Sequence, residues 1–223
     1  MIITIDGPAA AGKGTMAGKL AAKYNLAYFD TGMVYRAVGL NMLRSGKALE
    51  DEDAAVLFAR RLTFPEMIEL SKDPEFRSPA GGKAASVVSA IPAVRAALMQ
   101  MQREFSHNPV FADGTPAEGA IYDGRDTGTV VCPQADIKFF VTASPEVRAM
   151  RRYKEFAARG IDTTYDKILA DMNERDKRDS ERAVAPLKPA ADAVVFDTSD
   201  LNIDEVIAKA CEIIENRQKT LEK

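Results

Sequence analysis

The sequence predicts an α/β fold built on a mainly parallel sheet, and three observations carry that expectation. The chain opens with the β-branched run Ile2-Ile3-Thr4-Ile5-Asp6. A glycine-bounded loop, Gly7-Pro8-Ala9-Ala10-Ala11-Gly12-Lys13-Gly14-Thr15, follows at once, and Met16 to Tyr24 reads as a helix. Beyond it, short apolar strands alternate with longer helical patterns, the signature of βα units. Strand, glycine-rich loop and helix form the context that a phosphate-binding P-loop needs. Such a loop aims several backbone N–H groups at one point, and the helix dipole adds attraction for an anion. Lys13 is then placed to reach β- and γ-phosphate oxygens.

The remaining elements follow in order. Ala27-Tyr28-Phe29 is a short buried strand ending at Asp30. Thr31 is placed to cap a helix that runs to about Arg44 and stops at Ser45-Gly46. Asp51 to Arg61 is a further helix. Residues 62–82 alternate at first and then become rich in proline, serine and glycine, which predicts an excursion from the main domain as a small hairpin. Ala84 to Ala90 and Pro92 to Phe105 are helical, with Pro92 at a favourable first-turn position. Residues 106–119 are loop-like, with Val110-Phe111-Ala112 as a candidate strand and Asp113-Gly114-Thr115 in an inserted surface loop. Ala120-Ile121-Tyr122 is a strand ending at Asp123, and Ile137 to Val141 is another, followed by a helix after Pro145. Thr164 to about Asp179 is a charged helix, Val194-Val195-Phe196 the last strand, and Ile203 to Arg217 an amphipathic terminal helix. No internal repeat or low-complexity tract interrupts this order.

Size and composition narrow the function classes. A chain of 223 residues can bury one substantial core and carry a small inserted lobe. A net charge of -3 argues against bulk nucleic-acid binding, so phosphate recognition must come from locally clustered arginines. Cys132 and Cys211 lie far apart with no metal or redox spacing, as in a reduced cytoplasmic protein, and Cys132 reads as a buried strand-end residue. His107 is the only histidine, which rules against histidine-based catalysis and multi-histidine metal sites. The first strand begins at residue 2, leaving no room for a signal peptide, and no apolar run is long enough to span a bilayer. No membrane partner is expected.

Several clusters beyond the loop carry chemistry. Asp30-Thr31-Gly32-Met33-Val34-Tyr35-Arg36 stands at the carboxyl end of the second strand, where open α/β sheets bind ligands. Arg36 there reads equally as a clamp for an acceptor phosphate or as a surface arginine after a helix cap. Asp123-Gly124-Arg125-Asp126-Thr127-Gly128-Thr129-Val130-Val131 follows a strand expected beside the first. Its Asp123 is suited to organise the water shell of a Mg²⁺, and its glycines suggest backbone held close to a ligand rather than a plain polar turn. In Glu174-Arg175-Asp176-Lys177-Arg178-Asp179-Ser180-Glu181-Arg182, eight of nine residues are charged, and Arg175, Asp179 and Arg182 share a helix face. Such a stretch is usually a solvated face. An arginine-bearing lid is the stronger reading here, because phosphoryl transfer needs positive charge and exclusion of water. From the residues alone, Ser86 is an ordinary helix residue and Arg95 a solvated one.

Gly14 separates Lys13 from the hydroxyl of Thr15, and this G-K-G-T loop resembles the nucleoside-monophosphate kinase branch of P-loop proteins. The spacing also weakens the case for direct Mg²⁺ ligation by a loop hydroxyl. Taken with D-T-G-M-V-Y-R, A-A-S-V-V-S-A-I-P-A-V-R, D-G-R-D-T-G-T-V-V-C-P and E-R-D-K-R-D-S-E-R-A-V-A-P-L-K-P-A-A-D-A, the chain closely resembles bacterial cytidylate (CMP) kinases from residue 4 to residue 193. The last two pieces are far more specific than the P-loop.

The resemblance implies a three-layer P-loop kinase fold. It would form a single domain over residues 1–223, with an inserted monophosphate-binding lobe at about residues 62–92 and a short helical lid at about 160–185. It implies transfer of the γ-phosphoryl of ATP to CMP or dCMP with Mg²⁺, by a monomer that binds neither nucleic acid nor membrane. Gly7, Pro8, Ala9, Ala10, Ala11, Gly12, Lys13, Gly14 and Thr15 would hold the ATP phosphates. Arg36, Arg125 and Arg182 would gather around the acceptor phosphate, and Ser86, Arg95 and Asp126 would read the cytosine edge. Arg175 and Asp179 would lie near the sugar and the transferring group, and Thr31 would line the acceptor pocket. Lys13, Arg125, Arg175 and Arg182 would be catalytic, with Asp123 reaching a metal through water. The chemistry suits these roles, since cytosine offers an N4 amino donor and N3/O2 acceptors to a carboxylate and an arginine. The segment Arg77-Ser78-Pro79-Ala80-Gly81-Gly82-Lys83 is richer in glycine and proline than the family pattern, and the stretch before it is short. A trimmed or reshaped acceptor lobe is therefore expected. The alternatives are a kinase acting on UMP or AMP, and a catalytically silent nucleotide-binding regulator.

Overall fold

The apolar runs assemble into one five-stranded sheet in the computed structural model, which describes residues 1–221. The strands are β1 (Ile2–Asp6), β2 (Ala27–Asp30), β3 (Ala120–Gly124), β4 (Ile137–Thr142) and β5 (Val194–Asp197), in the order β2-β3-β1-β4-β5. β1 pairs in parallel with both β3 and β4, and β4 pairs in parallel with β5. Ile5 sits opposite Asp123 on one side and Phe139 on the other. The carboxyl ends of β1 and β3 are thereby neighbours, the edge at which open α/β sheets take ligands.

The chain divides into two units, Met1–Phe29 with everything from Pro109 onward, and Asp30–Asn108. In the first, Ile3, Ile5, Ile121 and Val141 bury against Met16 and Leu20 of α1 (Lys13–Tyr24) and Val206, Ala210 and Ile214 of α9 (Ile203–Leu221). The alternate β1 positions, Thr4 and Asp6, face the turn at residues 127–131, as the two-residue period of a strand requires. A smaller cluster joins α7 (Pro145–Ala158) to α8 (Tyr165–Glu181) through Ala149, Ile168 and Met172, and Ala9 of the phosphate loop belongs to it.

The second unit is helical: α2 (Gly32–Ser45), α3 (Glu52–Arg61), α4 (Phe64–Leu70), α5 (Pro79–Val88) and α6 (Pro92–His107). Leu40, Met42, Met67, Phe76 and Leu98 are fully buried, and Phe64 stacks on Phe105 with ring centroids 5.9 Å apart. The hairpin expected over residues 62–82 is replaced by α4, a tight helical turn at Pro74–Arg77 and the start of α5. Hydroxyl caps decide the outcome: Thr63 Oγ1 accepts from the Glu66 amide, and Ser78 Oγ accepts from Gly81. Pro79 then stands at a helix start, where its missing N–H costs nothing.

Three smaller expectations are also corrected. The cap of α2 comes from Asp30, whose Oδ1 accepts from the Gly32 amide, because that side chain reaches the first free N–H. Residues 110–112 form no strand beyond one antiparallel bridge between Val110 and Pro116, since a turn closed on Asp113 follows at once. Cys132 is buried but follows a helical turn instead of ending a strand. No single helix among the described residues is long and apolar enough to cross a membrane, and α5 and α6, which reach that length together, bend by 100° between them.

Candidate active site

The phosphate loop is shaped by its own backbone. Gly7 adopts φ +149°, and a Cβ there would lie 1.9 Å from the Val141 carbonyl oxygen, so β1 can turn into the loop only at glycine. Ala10, at the tip, takes φ +59°, a left-handed conformation that costs an alanine about 1–2 kcal/mol. Lys13 is buried, and its ammonium donates to the Pro8 carbonyl at 2.9 Å while lying 3.7 Å from Asp123 Oδ1. The Tyr28 hydroxyl donates to the other carboxylate oxygen at 3.3 Å. A Cβ at Gly14 would stand 3.3 Å from Asp123 Oδ2 and 3.4 Å from the Tyr28 hydroxyl. The glycine after the lysine thus leaves room for a carboxylate and a phenol above the first helical turn.

The turn after β3 is shaped by side chains from elsewhere. Asp6 is buried and accepts from the Thr127 amide, the Thr127 hydroxyl and the Gly128 amide, each at 2.8 Å. Burial pushes the Asp6 carboxyl above its ordinary range, although these three bonds pull it back toward the charged form. Behind them the chain makes one wide helical turn, with Val131 N bonded to Asp126 O and Cys132 N to Thr127 O, in place of a simple β-turn. Arg125 donates from Nε to Asp179 Oδ2 at 3.0 Å and from Nη1 to the Gly124 carbonyl. Arg175 approaches the same Asp179 oxygen at 3.8 Å. Arg182, just past the end of α8, lies 3.5 Å from Asp126 Oδ1 and donates to Ala185 O.

These charges hold one another ionised. Burial raises the Asp179 carboxyl, but Arg125, Arg175 and Arg182 outweigh it and keep it below the ordinary carboxylate range. Burial likewise works against the Arg125 charge, and Asp179, Asp123 and Asp176 more than compensate. Lys13, Asp123, Arg125, Asp126, Arg175, Asp179 and Arg182 are therefore gathered within the first unit around the ends of β1 and β3. An arrangement of three arginines sharing two carboxylates is suited to receive an anion, which replaces a carboxylate as their partner. Sequence reasoning gave no role to Asp6 or Tyr28, and only the position of Asp6 at a strand end signalled either of them.

In the second unit, Arg36 donates to the Phe76 carbonyl at 2.7 Å. Arg95 is 2% exposed, which overturns its reading as a solvated residue: its guanidinium lies 5.3 Å from the Tyr35 ring centre and donates to Ser89 O. Ser89 in turn donates to the carbonyl of Ser86, itself buried, as is Thr31. Ser86 and Arg95 are thus joined through Ser89. Among the described residues no group of three or more His, Cys, Asp or Glu side chains is placed to hold a metal ion.

A family model described as cytidylate kinase matches residues 3–216. The chain is similar to the curated cytidylate kinase of Azorhizobium caulinodans, 53% identical over 96% of this chain and 98% of the relative. That of Rhodospirillum rubrum is 51% identical over 99% of this chain and all of its own length, 100%. Among solved structures, an uncharacterized protein from Eubacterium ventriosum superposes with a TM-score of 0.52 at 13% identity, covering 97% of this chain and 98% of its own, a likeness of fold alone.

Proposed function

We propose that this chain, which belongs to the cytidylate kinase family, transfers the γ-phosphoryl group of ATP to CMP and dCMP, giving ADP with CDP or dCDP. The observation that carries the reading is the set of arginines and carboxylates at the ends of β1 and β3, where Arg125 and Arg175 share Asp179 and Arg182 faces Asp126. An acceptor phosphate oxygen attacks the γ-phosphorus in line. The bond to the β,γ-bridging oxygen breaks, and the displaced charge stays on ADP. The acceptor phosphate is already an anion, so no protein base is needed, and catalysis rests on positioning and charge neutralisation.

In this reading the loop from Gly7 to Thr15 holds the donor phosphates and Lys13 follows the charge developing on them. Arg36, Arg125 and Arg182 take the acceptor phosphate, Arg175 and Asp179 the sugar and the transferring group, and Thr31 lines the acceptor pocket. Ser86, Arg95 and Asp126 read the base, with Asp126 accepting from the cytosine N4 amine. Uracil presents an oxygen there, which a carboxylate repels. Residues 62–92 act as the acceptor-binding segment and residues 160–185 as the lid, in a monomer working in the cytoplasm.

Asp123 offers a hard oxygen beside Lys13, which fits a Mg²⁺ carried in by the nucleotide and met through water, not caged by protein. When bound, that ion neutralises charge on the donor oxygens. The decisive experiment is parallel turnover with CMP, dCMP, UMP and AMP, in wild type and Asp126→Ala. CMP and dCMP should dominate in the wild type, and the substitution should erode CMP-over-UMP preference by about tenfold or more. Equal turnover of UMP or AMP, or a preference untouched by the substitution, would sink the reading. Absence of any acceptor-dependent ADP release would favour a silent regulator.

A further inference from the structure

We propose that Arg148 is a positioning residue that fixes the tip of the phosphate loop and helix α8 in one frame, so that donor binding is transmitted to the helix bearing Arg175 and Asp179. The inference deepens the reading above, since it takes the donor to be ATP.

Arg148 is 3% exposed and makes three kinds of contact. Its Nε donates to the Ala143 carbonyl at 2.8 Å, anchoring the start of α7. Nη1 donates to the carbonyl of Ala9, in the phosphate loop, at 3.3 Å. Nη2 lies 2.7 Å from Asp176 Oδ2, on α8. A planar guanidinium can serve three directions at once, which a lysine ammonium on a single stem cannot reproduce. The other oxygen of Asp176, Oδ1, is buried with no hydrogen-bond partner among the described residues. Arg148 is thus the group that holds this carboxylate in place.

The apolar contacts run along the same line. Ala9 packs with Ala149 of α7 and with Ile168 and Met172 of α8, and Ala10 lies against that cluster. Ile168, Met172, Asp176 and Asp179 recur at helical spacing, so the inward face of α8 begins with apolar anchors and ends in two carboxylates, Asp176 partly buried and Asp179 buried. The first carboxylate meets Arg148, and the second meets Arg125 and Arg175. A shift of the loop tip around donor phosphates therefore acts on α8 through both a methyl contact and an ion pair between the buried Arg148 and the partly buried Asp176. An anchor serving only α7 would need neither the Ala9 carbonyl nor Asp176.

Hydrogen exchange of the full chain tests this, with and without a non-hydrolysable ATP analogue and followed in peptides spanning residues 172–181. Asp192→Asn is the control, because the exposed Asp192 pairs at 2.9 Å with the buried Lys138 in the same unit, away from the phosphate loop and α8. In wild type and Asp192→Asn the analogue should slow exchange in α8 by about tenfold. Arg148→Lys and Asp176→Asn should lose most of that slowing while still binding the analogue. Undiminished slowing in both variants, an equal loss in Asp192→Asn, or loss of analogue binding itself would overturn the proposal. No acceptor is present, so a failure of CMP turnover would refute the proposed function and leave this result to stand by itself.

Discussion

The two loops at the ends of β1 and β3 lie side by side, yet they are shaped by different means. The phosphate loop takes its shape from within, from Gly7 at a position no side chain fits, Ala10 in the left-handed region and Lys13 folded onto Pro8, while Arg148 and Thr198 tie down the carbonyls of Ala9 and Ala11. The turn carrying Arg125 and Asp126 is fixed from outside, by Asp6 beneath it and Asp179 beside it. A loop shaped mainly by its own backbone keeps its turn when one outside tie is lost. One built on distant side chains reports on them.

The contrast makes ordered predictions. Lys13→Met should produce the largest effect, lowering turnover by roughly 10²–10³-fold through loss of one preorganised charge, with a proportionally smaller fall in melting temperature as the Pro8 bond and the Asp123 pair are lost. If stability fell as sharply as turnover, the loop would not be self-supporting. Asp6→Ala comes next. It removes the acceptor for three buried donors and should cost about 3 kcal/mol, seen in denaturant unfolding, and it should raise the acceptor KM more than the ATP KM. Equal changes in the two KM values would mean that Asp6 supports both loops alike.

A pH titration separates the loops more gently. Asp179 is held below the ordinary carboxylate value, so its stabilising contribution is complete above the unfolded-state value and is lost as pH falls through the native one. Asp179→Asn should therefore flatten the acid limb of the melting curve below about pH 4, and an unchanged limb would remove the arginine cluster from the stability account. The smallest effect belongs to Ala10→Gly. Relief of about 1–2 kcal/mol of backbone strain is offset by the larger unfolded-state entropy of glycine and a lost methyl contact. Calorimetry should find a net change under about 1 kcal/mol; a clear loss would show that packing against α7 and α8 outweighs strain.

The same contrast explains what could be read from the sequence. The phosphate loop was legible because its glycines, lysine and flanking elements are contiguous, and the charged helix because Arg175 and Asp179 recur at helical spacing. Asp6, marked only by its place at a strand end, and Arg148, marked by nothing beside it, were not, since each bonds residues more than a hundred positions away. Arg95 looked solvated because a charged residue on a helix normally is, and only the fold brings Tyr35 and Ser89 to it. The hairpin error at residues 62–82 arose from proline and glycine that open helices instead of breaking them. Thr63 and Ser78 were the signals that outweighed that composition.

One feature at the far side of the sheet bears on how the protein behaves in bulk. β5 is an edge strand, and Val194 and Val195 are 37% and 58% exposed on it. An open edge with apolar side chains is a template for pairing between molecules, and here only four residues of it are offered. A short edge offers little register to a second chain, whereas a mutation lengthening the strand would invite edge-to-edge association.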